Sequence, residues 1–202
     1  MKVSIVGGGG FGGALARVFL RAGHDVTLMT RDMDRLQWWR AKHCLHSPKY
    51  PWLSCIHCSD QPEGIDGVRV APWSHDVSNF DFLVLAVPTD ALMEVCGDIE
   101  KSGTLDWEHS VVTLVQKGLV EEIAPMHAVR GLFPNAVSMT GAAFSKDLAK
   151  GAQVEMIISA TTQSALGSTK ELLKGTVLGR SSRRLETLAP RLALPWPTVS
   201  GP

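Results

Sequence analysis

The chain has 202 residues, 45% of them hydrophobic and 20% charged, and its 20 basic residues balance 20 acidic ones. This length and composition suit one globular core that needs no disulfide or metal. The zero formal charge argues against a nucleic-acid-binding protein, which usually carries a basic surplus. No apolar run reaches the roughly 18 residues of a membrane span. Because glycines interrupt the apolar start, we expect no signal peptide and a cytoplasmic location.

A strand, a helix and a second strand are predicted within the first thirty residues. Residues 2–6 form a short apolar run that ends in glycines. From Phe11 onward, apolar residues recur at the spacing of one helix face, and Gly23 is suited to the end of that helix. Residues 26–29 form the second strand. Together these elements predict a βαβ unit.

The rest of the chain continues this alternation. Asp32 can begin a second helix, and residues 43–67 then form a long connection without periodicity. Further strands are predicted at 68–70, 82–87, 111–115, 136–139 and 154–158, with helices near 90–95 and 164–173. The pattern predicts an α/β fold, a doubly wound and mostly parallel Rossmann sheet with helices on both faces. We predict that this Rossmann domain spans 1–180 and that a proline- and arginine-containing tail over 181–202 lies outside the core.

Six glycines lie between positions 7 and 13. Gly7, Gly9 and Gly12 have the G-x-G-x-x-G spacing of dinucleotide-binding proteins. Gly7 allows a tight turn, Gly9 lets a pyrophosphate approach the backbone, and Gly12 allows close packing of the helix. The first N–H groups of the helix can then bind the phosphates. Because the motif follows a strand and opens a helix, it predicts a site for NAD or NADP.

The end of the second strand bears on the choice of cofactor. An acidic residue there binds the ribose 2′-hydroxyl of NAD, whereas a nearby arginine accepts the 2′-phosphate of NADP. Here Thr30 is neutral and Arg31 follows it. We predict that both line the cofactor site, which favours NADP or tolerance of both cofactors. The alternative is that Arg31 is a solvated surface residue and Asp32 only a helix cap.

Five short motifs then occur in a fixed order. They are Met1–Gly7 with Gly9, Phe11 and Gly12; Ser47-Pro48-Lys49-Tyr50; Ala86-Val87-Pro88-Thr89; Lys117-Gly118; and Gly141-Ala142-Ala143-Phe144 with Ala149-Lys150-Gly151. Over residues 1–178 this order resembles the family of NAD(P)-dependent glycerol-3-phosphate dehydrogenases. Ala142 and Ala143 depart from its proline and serine, and Gln116 stands where the family usually has Thr or Ser.

The resemblance implies roles for individual residues. It places Gly10, Phe11, Pro88, Lys117 and Phe144 at the cofactor, together with the three spaced glycines. Lys117 is implied as the catalytic cation that stabilises charge on the substrate carbonyl oxygen. Pro88 and Phe144 would lie on the nicotinamide side of the site.

The resemblance also implies a reaction and a second domain. The family transfers a hydride between NAD(P)H and dihydroxyacetone phosphate, a small phosphorylated substrate. The family has a helical C-terminal domain that supplies a general-base lysine, and we expect residues 1–202 to lack it. We therefore expect the chain alone to bind NAD(P) but to turn over weakly or not at all. The surface left by the missing domain could drive self-association into a homo-oligomer.

Two other functions remain open at this stage. One is a different Rossmann dehydrogenase, acting on 6-phosphogluconate, a 3-hydroxy acid or ketopantoate. The other is a non-catalytic NADP-binding remnant, since a fold alone does not determine function.

A cluster of cysteines and histidines precedes the third predicted strand. Cys55 and Cys58 have zinc-knuckle spacing, and Cys44 or His46 could complete a tetrahedral set. Because no second paired motif follows, we predict no metal site and ordinary reduced thiols.

Overall fold

The computed structural model contains one sheet of nine strands. The structure describes residues 1–53, 58–59, 67–73, 79–106, 108–116, 124–129 and 131–181. The strands are β1 Lys2–Val6, β2 Asp25–Thr30, β3 Cys58–Ser59, β4 Val68–Pro72, β5 Phe82–Leu85, β6 Val111–Leu114, β7 Ala136–Gly141, β8 Val154–Ala160 and β9 Leu178–Ser181. The α-helices are α1 Gly10–Arg21, α2 Met33–Lys42, α3 Leu92–Ser102, α4 Pro125–Val129, α5 Ser145–Lys150 and α6 Gln163–Leu172. Two short 3-10 helices span Pro51–Leu53 and Thr89–Ala91.

The strand order places β1 at the point where the chain changes direction across the sheet. The order is β3-β4-β2-β1-β5-β6-β7-β8-β9. From β1 the chain passes through β2 to β3 at the edge of the sheet, comes back to β4, and then crosses to β5 on the other side of β1. In open α/β sheets, ligands bind outside the carboxyl ends of the strands at such a switch point.

Both faces of the sheet are covered, as in a doubly wound fold. Neighbouring residues of β5 belong to different core clusters: Phe82 and Val84 pack with α1, whereas Leu83 and Leu85 pack with α3. All four are buried. The continuous apolar run of this strand therefore reflects burial on both sides, as in a parallel sheet.

The predicted Rossmann fold is confirmed by this arrangement. The sequence pattern did not predict α4, α5, β3 or β9, which are all short, nor the antiparallel pairing of β7 with β8. A helix of six residues or fewer spans too few turns to show a period, and β3 and β9 lack the continuous apolar run that marks the other short strands. Within the described part of the chain, no helix is both long and apolar enough to cross a membrane.

Candidate functional site

The turn after β1 is so tightly packed that two of its positions exclude any side chain. Gly7 has φ +122°, and its N–H donates to the carbonyl oxygen of Met29 at 3.0 Å. A Cβ on Gly7 would lie 2.4 Å from the carbonyl oxygen of Ala86. A Cβ on Gly12 would lie 2.0 Å from the carbonyl oxygen of Gly7. Gly12 thus permits the helix to pack against the turn itself.

Gly9, by contrast, faces open space. A Cβ there would meet nothing nearer than the Tyr50 hydroxyl at 4.0 Å. Gly9 is also the N-cap of α1, and it supplies no side-chain cap. The first turn of α1 contains no acidic residue. The first N–H groups of a helix have no partner within it, so this turn fits an anion such as a pyrophosphate.

A segment that the sequence analysis gave no role packs onto this turn. A Cβ on Gly10 would lie 3.0 Å from the Tyr50 ring and 3.3 Å from Trp52. The two rings meet edge to face at 5.6 Å. A Cβ on Gly13 would lie 2.6 Å from Leu53. The run of small residues at the start of α1 therefore accommodates the segment around Tyr50, as well as leaving room for a ligand.

The end of β2 places Thr30 and Arg31 in different environments. Thr30 is buried, and its hydroxyl accepts a hydrogen bond from the backbone N–H of Asp32. A Cβ on Gly8 would lie 2.8 Å from Thr30, so the strand end touches the glycine turn. Arg31 is half exposed, and its Nη1 lies 2.8 Å from Oε1 of Glu94. Neither the pattern at β2 nor the motifs pointed to Glu94.

A second arginine, also missed from the sequence, links the turn to α2. Nη1 of Arg35 donates to the carbonyl oxygen of Gly8 at 2.7 Å. Its Nη2 lies 3.0 Å from the Asp32 carboxylate, and its guanidinium lies 5.5 Å from the centre of the Tyr50 ring. Asp32 does cap α2, accepting from the backbone N–H of Arg35 at 2.9 Å. In the sequence, only the three-residue spacing between Asp32 and Arg35 indicated that this arginine would form an ion pair.

On the other side of β1, Gln116 fixes the segment that leads to Pro88. Nε2 of Gln116 donates to the carbonyl oxygens of Leu85 at 2.6 Å and Val87 at 3.2 Å. Gln116 is buried, and its Oε1 has no hydrogen-bond partner among the described residues. Pro88 directly precedes the 3-10 helix Thr89–Ala91.

The remaining predicted residues are only partly accounted for. Lys117 lies outside the described residues. Phe144 immediately precedes α5 and is 64% exposed, while α5 packs against α1. Of the zinc candidates, Cys55 lies outside the described residues, and Cys44 Sγ accepts from the backbone N–H of His46. In the described part of the chain, no group of three or more His, Cys, Asp or Glu residues could hold a metal ion.

A glycine turn and an uncapped helix start, at the switch point of a doubly wound sheet, define a dinucleotide-binding domain of the Rossmann type. Residues 2–166 match the family described as the NAD-dependent glycerol-3-phosphate dehydrogenase N-terminus. The chain belongs to this family. Its membership confirms the predicted family and the class of cofactor, NAD(P).

Individual relatives agree with this assignment. A glycerol-3-phosphate dehydrogenase [NAD(P)+] of Jannaschia sp. is 29% identical over 163 residues, which are 79% of this chain and 45% of that protein. The structure resembles the glycerol-3-phosphate dehydrogenase of Coxiella burnetii, with TM-score 0.70 and 17% identity over 89% of this chain and 52% of the other. The corresponding Plasmodium falciparum structure gives TM-score 0.71 and 18% identity over 93% and 52%. The chain spans about half the length of these proteins.

Proposed function

We propose that this chain binds NAD or NADP in the crevice above the carboxyl end of β1, as the cofactor-binding half of a glycerol-3-phosphate dehydrogenase-like oxidoreductase. The observation that carries this proposal is the uncapped start of α1 behind the open Gly9 position. When bound, the nicotinamide supplies or accepts the hydride, and the protein's part is to orient it.

Different residues bind different parts of the cofactor. The backbone N–H groups of Gly10, Phe11 and Gly12 bind the pyrophosphate at the start of α1. Gly7 and Gly9 shape the turn. Thr30 and Arg31 lie on the adenosine side, because they end the strand next to β1.

The nicotinamide side is assigned to the opposite flank of β1. Pro88 lies in the segment after β5, which Gln116 holds through two backbone carbonyls. The family resemblance adds Lys117 as the catalytic cation beside the substrate carbonyl, and Phe144 near the nicotinamide. Both assignments follow from motif position alone.

The whole-protein reaction that we propose is hydride transfer between NAD(P)H and dihydroxyacetone phosphate, a small phosphorylated substrate, in the cytoplasm. Because the relatives are about twice as long, we expect the isolated chain to bind cofactor and to turn over weakly or not at all. Family membership favours this substrate over those of other Rossmann dehydrogenases. The surface that the other half would cover could support a homo-oligomer, which gel filtration would detect.

The binding test uses a variant that the fold tolerates. Gly9→Val adds a side chain where the backbone is extended and space is open, so it should fold and lose no more than about 1 kcal/mol of stability, the cost of valine at a helix N-cap. It should nevertheless weaken NADPH binding at least about tenfold, because the side chain fills the path of the pyrophosphate. Gly97→Ala, on α3 and also in open space, is the matched control and should bind normally.

Two measurements decide between the outcomes. NADPH fluorescence titration reports binding, and the loss of NADPH absorbance with dihydroxyacetone phosphate reports turnover. Equal binding by wild type and Gly9→Val, or none by wild type, would contradict the assigned cofactor site. Rapid turnover by the isolated chain would contradict the expected need for the second half.

A further inference from the structure

The ion pair between Arg31 and Glu94 joins the two sides of the cofactor crevice. Arg31 directly follows β2, and Glu94 lies in the first turn of α3, which follows β5. In the sheet, β1 lies between β2 and β5. The pair, 2.8 Å from Nη1 to Oε1, therefore reaches across the carboxyl edge of β1, where the glycine turn begins.

The two arginines near the end of β2 are each paired with an acidic side chain. Arg31 pairs with Glu94, and Arg35 is held by Asp32 and by the carbonyl oxygen of Gly8. Asp34 and Asp90, both exposed, add negative charge in the first turn of α2 and in the 3-10 helix that precedes α3. A 2′-phosphate, with about two negative charges, would therefore approach arginines that are already paired with carboxylates.

We propose that Glu94 is a specificity-determining residue: it competes with the 2′-phosphate of NADP for Arg31 and so favours NAD over NADP. The inference rests on the proposed cofactor site. Side chains of Arg31 and Glu94 are 50% and 61% exposed, and exposed ion pairs contribute little net stability. Glu94 therefore does not lock Arg31 in place.

Discrimination between NAD and NADP then comes from repulsion between the Glu94 carboxylate and the 2′-phosphate. If Arg31 turns to a 2′-phosphate, the Glu94 carboxylate stays within the screening length of about 8 Å at physiological salt, so its repulsion of the phosphate persists. The 2′-hydroxyl of NAD carries no charge and is not repelled. Arg31 can also remain paired with Glu94 when NAD binds.

Two nucleotides that differ by one phosphate isolate this effect. Adenosine 2′,5′-bisphosphate carries the 2′-phosphate and adenosine 5′-monophosphate lacks it. In calorimetric titrations, Glu94→Gln should tighten binding of the bisphosphate about fivefold and change that of the monophosphate less than about twofold. Adding Arg31→Met to this variant should weaken binding of the bisphosphate again and leave that of the monophosphate unchanged, because the phosphate then loses the arginine at the end of β2.

Glu100→Gln is the matched control. Glu100 is an exposed glutamate on the same helix, so this variant makes the same change in net charge away from the crevice. It should leave both affinities within about twofold of wild type. Thermal unfolding of all variants should stay close to wild type, since the substituted side chains are exposed.

The outcomes separate this inference from the proposed function. If wild type binds both nucleotides and Glu94→Gln changes both by the same factor, Glu94 does not set specificity, although the cofactor site stands. An equal gain for Glu100→Gln would show a general charge effect and would also overturn the role of Glu94. If wild type binds neither nucleotide, the cofactor site itself is wrong and the inference falls with it.

Discussion

At the scale of single residues, the glycines of the turn serve different purposes. Gly7 needs a positive φ, and Gly12 needs the absence of a Cβ 2.0 Å from a backbone oxygen. Gly9 needs neither, because its backbone is extended and its surroundings are open. Stability therefore depends on Gly7 and Gly12, whereas Gly9 is free to serve a ligand.

Gly12→Ala should lower the free energy of unfolding by about 1–3 kcal/mol, because the new methyl group collides with backbone that cannot move away. Gly97→Ala, in the interior of α3 with no atom within 4 Å of a Cβ, should instead raise it by up to about 1 kcal/mol, from helix propensity. Chemical denaturation measures both. If the two variants change stability alike, the close packing of Gly12 on the turn is wrong.

Burial of Cys96 links stability to alkaline pH. Desolvation raises the pKa of its thiol from 9.0 to about 12, so above pH 9 the unfolded chain releases a proton that the folded chain keeps. The stability associated with this thiol is complete below pH 9.0 and is lost as the pH rises toward 12. By about pH 10 the wild-type protein should lose about 1.4 kcal/mol relative to Cys96→Ala. Parallel pH series of denaturation that coincide would contradict this.

At the scale of elements, side chains from one element hold the backbone of another around the crevice. Arg35 of α2 binds the carbonyl oxygen of Gly8 in the turn, and Gln116 after β6 binds the carbonyl oxygens of Leu85 and Val87. The carbonyl oxygen of Ala86, between those two acceptors, closely approaches Gly7. Gln116 thus positions the Pro88 segment relative to the glycine turn.

Gln116→Met keeps the length of the side chain but removes both hydrogen bonds. The carbonyl oxygens of Leu85 and Val87 lose their donor, and the expected loss of stability is about 1–3 kcal/mol. The Pro88 segment should also become less ordered, which hydrogen exchange of the amides after β5 would detect. Trp38→Phe removes the ring N–H from an exposed hydrogen bond to the carbonyl oxygen of His46 and should show a smaller loss. Equal losses of stability in the two variants would argue against a positioning role for the two Gln116 hydrogen bonds.

At the scale of the whole molecule, hydrophobic periodicity predicted the elements whose burial shows in their own sequence. The strands buried on both faces and the amphipathic α1 were predicted within a few residues, as was the glycine turn. The sequence did not predict the role of Glu94, because its partner Arg31 lies across the crevice. It did not predict the contact of Arg35 with Gly8 either, because that contact depends on the angle at which α2 leaves β2. Short β9 and the antiparallel β8 depend on pairing between distant parts of the chain, which no local pattern encodes.

The position of β9 predicts where the folded core ends. This strand pairs with β8 from Leu178 to Ser181, and Leu178 is buried, so truncations on either side of β9 test the predicted boundary between the domain and the tail. A chain that ends at Ser181 should unfold at the same denaturant concentration as the full chain. A chain that ends at Thr176 loses β9 and the buried Leu178, leaves the edge of β8 unpaired, and should lose at least about 2 kcal/mol. Equal destabilisation by both truncations would mean that residues 182–202 belong to the core, contrary to the predicted tail.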